Sequence, residues 1–500
     1  MPQATPSTLA QAVTEEKLEG ALPELDRLID KAIDEGRIPG LAMGIVYKGQ
    51  VIYLKGFGVR EAGKPDLVDP ATVFQLASMS KAVSSTIISS LVNDGYVKWD
   101  DPVVKHDPEF EMYDPAVTPQ VTIGDVFAHR SGLPGGAGND LEFIGYKQKA
   151  ILERLRLLKP AYEFRKGYEY SNFGLTEGAT AAAKATGERW SAVAQDRLFE
   201  PLGMTQTSMR YEDFVKREDR AHLHILVHHQ WTPALTRDAD AQAPAGGASS
   251  SIRDLVKWVI LELANGQYDG KHLISKEALE MAWTHQAENG SSVRTGQPTY
   301  YGFGWVLDYL EDGVLRVAHS GAFSQGAGTN VTLIPSQDLG IVVLGNAFPT
   351  GVPEAVADTL LDLGRYGHVT RDWFTTWKNY FDTLFSTEEQ IEKYAHPPVP
   401  NRPALDLAAY TGTYRNAYVG KVKITAGKGI LYLTRGPNQA PLPLRHWDGN
   451  TFLSYPVPEH AALPVPVEFT IGAEGEASQI TLEGLNGSGA GTVTRTEDED

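Results

Sequence analysis

A serine and a lysine stand three residues apart where an apolar stretch begins, in the run FQLASMSKAVSS. Residues i and i+3 of a helix share a face, so Ser78 and Lys81 are expected to lie side by side. A serine hydroxyl is a weak nucleophile until a neighbouring base takes its proton. An amine can serve as that base when burial or nearby positive charge keeps it neutral. The pair predicts attack on a carbonyl carbon; the alternative is an N-capping serine beside a snorkelling lysine.

Two further triplets carry groups that could assist such chemistry. Tyr170-Ser171-Asn172 offers a phenol that can relay protons and an amide that can hold a substrate carbonyl. His319-Ser320-Gly321 ends a strand-like run, and a glycine there lets a substrate approach the backbone closely. Taken singly, each triplet is equally compatible with a polar turn, the first with a capping asparagine. The same Tyr-x-Asn spacing recurs at Tyr414-Arg415-Asn416, in a β-rich region.

The elements around these residues indicate a mixed α+β domain. Periodic apolar residues predict an amphipathic helix over Glu24–Glu35 and a buried helix after Ser78. A β-hairpin is predicted about Lys48-Gly49, and further strands cluster between residues 300 and 346. Between them lies a mostly helical block at about residues 96–245. We expect an antiparallel sheet flanked by helices, with a helical lobe beside it and a small-molecule cleft between the two.

The C-terminal fifth of the chain has a different texture. His396–Leu405 contains four prolines and is typical of a linker. About eight short β-runs follow at close spacing, which predicts a small all-β antiparallel barrel or sandwich. The expected organisation is a catalytic domain at 1–365, a helical segment with a Pro-rich linker at 366–403, and the β-domain at 404–500.

Composition excludes several classes of protein. The chain has 500 residues and no cysteine, which rules out disulfides, thiolate metal sites and a cysteine nucleophile. Its formal net charge of −18 disfavours nucleic acid as a partner. No apolar run is long enough to cross a bilayer. The first twenty residues lack the features of a secretory signal, so the expected location is cytoplasmic, unless a signal has already been removed.

The three triplets together, in this order, resemble the S-x-x-K, Y-x-N and [HK]-x-G motifs of the penicillin-recognising serine hydrolases. That group includes class C β-lactamases, D-aminopeptidases, D-amino-acid amidases and β-lactamase-like carboxylesterases. The stretches FAHRSGLP, FEPLGMTQTSM and PAGGASSS are also similar to it. The resemblance covers roughly Leu25–Leu363, and the β-rich tail resembles the lipocalin-like domain of some serine peptidases in the group.

The resemblance implies a β-lactamase/transpeptidase-like fold and an acyl-enzyme mechanism without metal or other cofactor. Ser78 would attack the carbonyl, while Lys81 and Tyr170 shuttle the proton. Backbone N–H groups of Ser78 and Ala322 would form the oxyanion hole.

The same resemblance implies roles in substrate binding. Asn172 would orient the substrate amide or ester, and Gly321 would bind substrate beside it. His319 would line the pocket and is expected among the catalytic residues, with Ser78, Lys81 and Tyr170. β-Lactamases commonly carry lysine where this chain has His319, and histidine is only partly charged near neutral pH. Histidine is typical of the aminopeptidase and esterase branches, which favours peptide, amide or ester substrates over β-lactams.

Several alternatives stay open. The same intermediate would serve an acyltransferase or a β-lactamase, and the cleft could belong to a non-catalytic protein that senses peptides. The expected partner is a small molecule or short peptide, and a homo-oligomer is not excluded. In HLHILVHH, His222 and His224 would share a strand face, which suggests metal binding; no acidic residue stands close by in the sequence, which disfavours it.

Overall fold

The computed structural model describes residues 12–437 and 440–497, which form two compact units. The first unit comprises the chain up to Asp101, Thr122–Ala128 and Gly178–Leu384. The second comprises Pro102–Val121, His129–Glu177 and the chain from Phe385 onwards. The domain limits expected at residues 365 and 404 stay a prediction.

The helices of the described residues are α1 (Glu15–Asp34), α2 (Ser80–Asn93), α3 (Val103–His106), α4 (Ile123–Phe127), α5 (Asn139–Phe143), α6 (Gln148–Leu152), α7 (Asn172–Thr186), α8 (Trp190–Ala194), α9 (Tyr211–Val215), α10 (Ile252–Leu263), α11 (Lys276–Ala282), α12 (Val352–Tyr366), α13 (Trp373–Leu384) and α14 (Glu388–Lys393). Among them, none combines the length and the apolar character that a membrane span requires.

The strands of the described residues are β1 (Gly40–Tyr47), β2 (Gln50–Gly58), β3 (Val73–Gln75), β4 (Ile225–Val227), β5 (Gln230–Thr232), β6 (Ser249–Ser251), β7 (Gln267–Tyr268), β8 (Lys271–His272), β9 (Ala287–Ser291), β10 (Pro298–Tyr301), β11 (Val306–Tyr309), β12 (Leu315–Phe323), β13 (Ala327–Ile334), β14 (Leu339–Gly345), β15 (Gly412–Asn416), β16 (Gly420–Gly427), β17 (Ile430–Arg435), β18 (Leu442–Asp448), β19 (Thr451–Ser454), β20 (Val465–Ile471), β21 (Ala477–Leu482) and β22 (Thr492–Thr496).

An eight-stranded antiparallel sheet forms the centre of the first unit. Its strand order is β2-β1-β14-β13-β12-β11-β10-β9, so the two ends of the predicted domain meet where β1 pairs with β14. Successive side chains of a strand point to opposite faces. Met43 and Ile45 of β1 belong to the buried cluster formed with α1 and α12. Gly44, between them, faces α10, where an added Cβ would meet Val256 at 2.6 Å. The sheet is therefore covered by helices on both faces.

The second unit contains a closed barrel in which β15 to β22 pair in sequence order. Its buried side chains include the aromatic rings of Tyr410, Phe452 and Phe469, whose centroids lie 4.9–5.5 Å apart in edge-to-face contact. Tyr414 is also fully buried. Small barrels commonly close on a core of their own side chains, and these buried residues contribute to such a core.

The predicted fold class is confirmed: an antiparallel sheet with flanking helices, and a separate all-β barrel. The hairpin about Lys48-Gly49 and all eight C-terminal strands are present. The first helix was predicted to start at Glu24 but starts at Glu15, and Pro23 lies inside it. Its N-cap is Thr14, whose hydroxyl accepts a hydrogen bond from the backbone N–H of Lys17. The edge strand β9 was not predicted, since AENGS has no alternation of apolar residues.

Candidate active site

The predicted nucleophile lies in a tight turn just before α2, rather than on the first turn of that helix. Ala77–Met79 form a 3₁₀ turn, and α2 begins at Ser80. Ala77 has a φ of +48°, a left-handed conformation that is unfavourable for a residue with a Cβ. Backbone strain of this kind persists only where the surroundings enforce it, and it is concentrated at functional sites. Here the strained residue directly precedes Ser78.

The side chain of Lys81 is in hydrogen-bond reach of Ser78. Its Nζ lies 3.1 Å from Ser78 Oγ and 2.8 Å from the carbonyl oxygen of Ala245. Lys81 is fully buried, and burial holds the pKa of its amine well below the usual range. A neutral amine can donate to the Ala245 carbonyl and still accept a proton from the serine. The distance and the direction of this pKa shift are those expected of a nucleophile beside its base.

The serines of α2 explain how Ala245 reaches Lys81. Ser80 Oγ accepts a hydrogen bond from the backbone N–H of Ala248 at 3.0 Å, and Ser84 Oγ donates to the carbonyl of Pro244 at 2.7 Å. Three side chains of α2 therefore attach to the backbone of residues 244–248. The sequence offered PAGGASSS only as a family-like stretch, so the contact from Ala245 was not predicted.

Gly321 brings strand β12 against the turn that contains Ser78. A Cβ at this position would lie 2.1 Å from the carbonyl oxygen of Leu76 and 3.0 Å from the backbone nitrogen of Met79. Thr329, which pairs with Gly321 on β13, donates from Oγ1 to the same Leu76 carbonyl at 2.7 Å. Only glycine permits this approach, and Ala322 follows it in β12.

His319 is buried in β12 and is neutral near pH 7. Its Nδ1 lies 2.7 Å from the carbonyl oxygen of Ser320, which can only accept, so this nitrogen carries the proton. Its Nε2 then accepts from the hydroxyl of Tyr301 at 2.8 Å. Burial lowers the pKa of His319 to about 3. The expectation of a partly charged histidine is therefore corrected. Tyr301 was missed, since nothing in its sequence context marks it.

The second unit holds the Tyr170-Ser171-Asn172 triplet at the start of α7. Ser171 Oγ accepts from the backbone N–H of Gly174 at 3.1 Å, so the serine, and not the asparagine, caps the helix. His129 Nδ1 accepts from the backbone N–H of Ser171 at 3.1 Å, and its ring packs against Tyr170 at 4.4 Å between centroids. Asn172 Nδ2 donates to Asn139 Oδ1 at 3.2 Å. His129 and Asn139 were not singled out from the sequence.

The candidate residues fall into two groups by unit. The first unit contains Ser78, Lys81, His319, Gly321 and Ala322. Ser78 contacts Lys81, Gly321 packs against the turn that contains Ser78, and His319 lies two residues before Gly321 on β12. The second unit contains Tyr170 and Asn172. The catalytic and binding roles assigned to all seven residues stay predictions.

The metal-binding alternative fails at His224. Its Nδ1 lies 2.7 Å from the Asn346 carbonyl oxygen, and its Nε2 accepts from the backbone N–H of Ala62 at 2.9 Å. Both ring nitrogens are thus used inside the protein. Within residues 12–437 and 440–497, no three acidic or histidine side chains are grouped so that they could hold a metal ion.

Comparison with known proteins shows the family. Residues 25–365 match the family described as Beta-lactamase, and residues 396–497 match a domain of unknown function, DUF3471. Because the first match spans more than half of the chain, this chain belongs to the β-lactamase family. The β-lactamase-like serine hydrolases that the three motifs indicated are thus its relatives.

Individual relatives are distant. The chain is 24% identical over 478 residues to unguisins hydrolase ungD' of Aspergillus campestris, covering 91% of this chain and 88% of the relative. It is 25% identical over 342 residues to protein flp of Staphylococcus aureus, covering 67% and 64%. An octameric penicillin-binding protein homologue from Pyrococcus abyssi shares the fold, with a TM-score of 0.60, 21% identity, and coverage of 92% and 98%. So does SurE with D-Leu, with a TM-score of 0.56, 19% identity, and coverage of 97% and 100%.

Proposed function

We propose that this protein cleaves an amide, peptide or ester bond through an acyl-enzyme formed on Ser78. The observation that carries the proposal is the contact between Ser78 Oγ and Lys81 Nζ at 3.1 Å, made to an amine whose pKa burial lowers well below its usual range. The relatives named as unguisins hydrolases, matched over most of the chain, support hydrolysis.

In the first half of the proposed reaction, Ser78 Oγ attacks the substrate carbonyl carbon and its proton passes to Lys81 Nζ. The carbonyl oxygen becomes negative and is stabilised by the backbone N–H groups of Ser78 and Ala322. Loss of such a donor typically costs about 10²–10³-fold in rate. The carbon–nitrogen or carbon–oxygen bond then breaks, and the proton held by Lys81 reaches the leaving amine or alcohol by way of Tyr170.

In the second half, water attacks the ester carbon of the acyl-enzyme. The water gives one proton to the Lys81–Tyr170 pair, and that proton returns to Ser78 Oγ as the acyl bond breaks. A carboxylic acid leaves, and the enzyme is regenerated with a neutral amine. Asn172 orients the substrate carbonyl group throughout.

The neutral state of His319 supports amides, peptides and esters over β-lactams as substrates. A β-lactam carries a carboxylate, and a fixed cation at this position would hold it. His319, with its pKa lowered to about 3, supplies no positive charge at neutral pH.

A fluorophosphonate probe tests the nucleophile. We expect it to add one equivalent of mass to Ser78, located by peptide mapping, and to block hydrolysis. Ser78→Ala should neither be labelled nor turn over substrate. Ser85→Ala is the matched control, since Ser85 is a fully buried serine on the same helix, and it should behave as wild type. Full hydrolytic activity in Ser78→Ala would overturn the proposal.

A substrate panel tests the reaction. Short-chain nitrophenyl esters, D- and L-amino-acid anilides and a chromogenic cephalosporin are assayed side by side, with and without an added amine acceptor. We expect turnover of esters or anilides and little of the cephalosporin. Tyr170→Phe should keep the fold and lose most of this turnover. Amide products with the acceptor would identify acyl transfer instead, and labelling without turnover would identify a non-catalytic binder.

A further inference from the structure

The barrel makes a specific contact with the segment that precedes the Tyr170 triplet. We call Asn416–Gly420, which joins β15 to β16, the barrel turn, and Gly136–Tyr146 the docking segment. Tyr418 Oη donates to Asp140 Oδ1 at 2.6 Å, and Tyr146 Oη donates to the carbonyl of Val419 at 3.0 Å. Both barrel residues are buried, Tyr418 at 3% and Val419 at 0% exposure. The contact is therefore a hydrogen-bonded interface within the second unit.

The shape of the barrel turn is fitted to this contact. Asn416 Oδ1 accepts from the backbone N–H of Val419 at 2.6 Å, which fixes the turn. Gly420 has a φ of +82°, and a Cβ there would lie 2.3 Å from Tyr146 Oη. Glycine thus serves both the backbone conformation and the close approach.

A second place on the barrel holds the same segment. Gly436 has a φ of +65°, and a Cβ there would lie 2.4 Å from the carbonyl oxygen of Ile144. The guanidinium of Arg435 stands 5.9 Å from the centre of the Phe143 ring. The barrel thus contacts the docking segment at two places, Asp140 and Phe143–Ile144.

The docking segment in turn holds both ends of the candidate triplet. Asn139, next to Asp140, accepts the hydrogen bond from Asn172 Nδ2 at 3.2 Å. The backbone N–H of Gly136 donates to the carbonyl of Tyr170 at 2.9 Å. Contacts therefore run without interruption from Tyr418 through Asp140 and Asn139 to the amide of Asn172.

The charge state of the contact favours a fixed direction of donation. Burial raises the pKa of Tyr418, and the nearby Asp140 raises it further, so the phenol keeps its proton. Burial also raises the pKa of Asp140, while the hydrogen bond from Tyr418 opposes that shift. Tyr418 is therefore the donor, and Tyr418→Phe removes one hydrogen bond while keeping the ring.

We propose that the C-terminal barrel positions the substrate-binding amide of the active site, with Tyr418 as a positioning residue acting through Asp140, Asn139 and Asn172. The inference rests on the proposed function, in which Asn172 orients the substrate carbonyl. The residues of the barrel turn that make this contact lie between two strands, outside the barrel's aromatic cluster. The barrel then influences substrate affinity and selectivity without supplying a catalytic residue.

The test compares Tyr418→Phe with Tyr455→Phe in the full-length protein. Tyr455 is 40% exposed and lies outside the contact, so it is the matched control. We expect Tyr418→Phe to raise KM about 3- to 10-fold, as for the loss of one hydrogen bond, with little change in kcat. Fluorophosphonate labelling of Ser78 should proceed at the wild-type rate, since that small probe does not need Asn172.

A double-mutant cycle separates positioning from a general loss of structure. If Tyr418 acts through Asn172, the Tyr418→Phe/Asn172→Ala variant should have the KM of Asn172→Ala alone. Asn139→Ala should reproduce the KM increase. Asn139→Asp, which keeps an acceptor for Asn172 Nδ2, should have the wild-type KM. Equal KM in Tyr418→Phe and Tyr455→Phe, or additive effects in the cycle, would overturn the inference alone. A wild-type protein that is neither labelled nor active would overturn the proposed function, and this inference with it.

Discussion

The first unit buries two kinds of ionisable side chain, and they behave in opposite ways. Lys81 is fully buried, and burial lowers the pKa of its amine well below the usual range. Arg294 and Arg316 are also buried, yet the pKa of each lies above its usual range. Burial opposes the charge in all three cases. What differs is the set of carboxylates close to each group.

The two arginines sit in a network of carboxylates between the sheet and α12. Arg316 donates from Nε and Nη2 to the two oxygens of Asp308 at 2.7 and 2.6 Å, and from Nη1 to Asp358 at 2.9 Å. Arg294 donates to Asp358 at 3.3 Å and to Asp362 at 2.5 Å. Attraction to these carboxylates outweighs the cost of burial and keeps both guanidiniums charged.

The ionisable groups around the candidate site have pKa values that burial shifts toward their neutral forms. Burial lowers the pKa of His319 to about 3 and raises that of Glu354, which hydrogen-bonds to Ser320, to about 7. A neutral amine can take a proton, whereas a charged guanidinium cannot. Burial without a nearby opposite charge is therefore found at the candidate site. Burial beside opposite charges is found in the network of Arg294, Arg316 and their carboxylates, which we call the framework.

The largest expected effect comes from replacing Lys81 of the candidate site with arginine, the cation of the framework. Lys81→Arg should lower kcat/KM about 10²- to 10⁴-fold, because the guanidinium cannot act as a base. Lys81→Met, of similar length and unable to charge, should lose as much activity. Steady-state kinetics on the best ester or anilide measures both. Wild-type turnover in Lys81→Arg would remove Lys81 from the proton transfer.

Removing one carboxylate from the arginine network should cost stability instead of activity. Asp358→Asn leaves two buried guanidiniums short of one negative charge, and we expect the free energy of unfolding to fall by about 3–5 kcal/mol. Urea unfolding measures it. Asp382→Asn is the control: Asp382 pairs with Lys378 on the exposed face of α13, and its loss should cost less than about 1 kcal/mol. Equal losses in the two variants would contradict the comparison.

The sequence predicted local structure well where a repeating pattern was present. The eight barrel strands and the hairpin about Lys48-Gly49 follow from apolar periodicity and turn residues. The start of α1 was missed because charged residues and Pro23 obscure its period. The pairing of β1 with β14, about three hundred residues apart, was not predicted, because it has no local signal in the sequence.

The candidate site was predictable only in part, for a similar reason. Ser78 and Lys81 are close in sequence, so helical spacing alone suggested their contact. Ala245 contacts Lys81 through its backbone carbonyl, and the Tyr301 hydroxyl contacts His319 from another strand. The type of these residues does not reveal either contact. The charge state of His319 depends on burial, which a single sequence does not fix.

The third expected effect is a pH dependence of stability that comes from the buried carboxyl of Glu354. Glu354 has its pKa raised from 4.5 to about 7, so the folded state binds its proton more tightly than the unfolded state. Its contribution to stability is complete below pH 4.5 and is lost as the pH rises to about 7. Glu354→Gln removes this dependence, so its stability relative to wild type should rise across that window, by on the order of 3 kcal/mol.

Urea unfolding of wild type and Glu354→Gln between pH 4.5 and 8 measures that difference. Glu280→Gln is the control, because Glu280 is exposed on α11 and pairs with Lys276. Its difference from wild type should stay nearly constant with pH. Parallel curves for wild type and Glu354→Gln would show that Glu354 is charged in the folded state, as the framework carboxylates are.

The smallest expected effect tests whether charge or geometry holds the framework together. Arg316→Lys keeps the positive charge but loses the two parallel hydrogen bonds to Asp308, and we expect it to cost about 1–2 kcal/mol of stability. Arg27 makes the same bidentate contact with Glu24, at 2.8 and 2.7 Å, on the exposed surface of α1. Arg27→Lys should therefore change stability less than Arg316→Lys does, because water replaces the lost hydrogen bonds there. If both substitutions lower stability equally, burial does not strengthen the ion pairs of Arg316. The difference between the buried arginines and Lys81 would then come only from the carboxylates near the arginines.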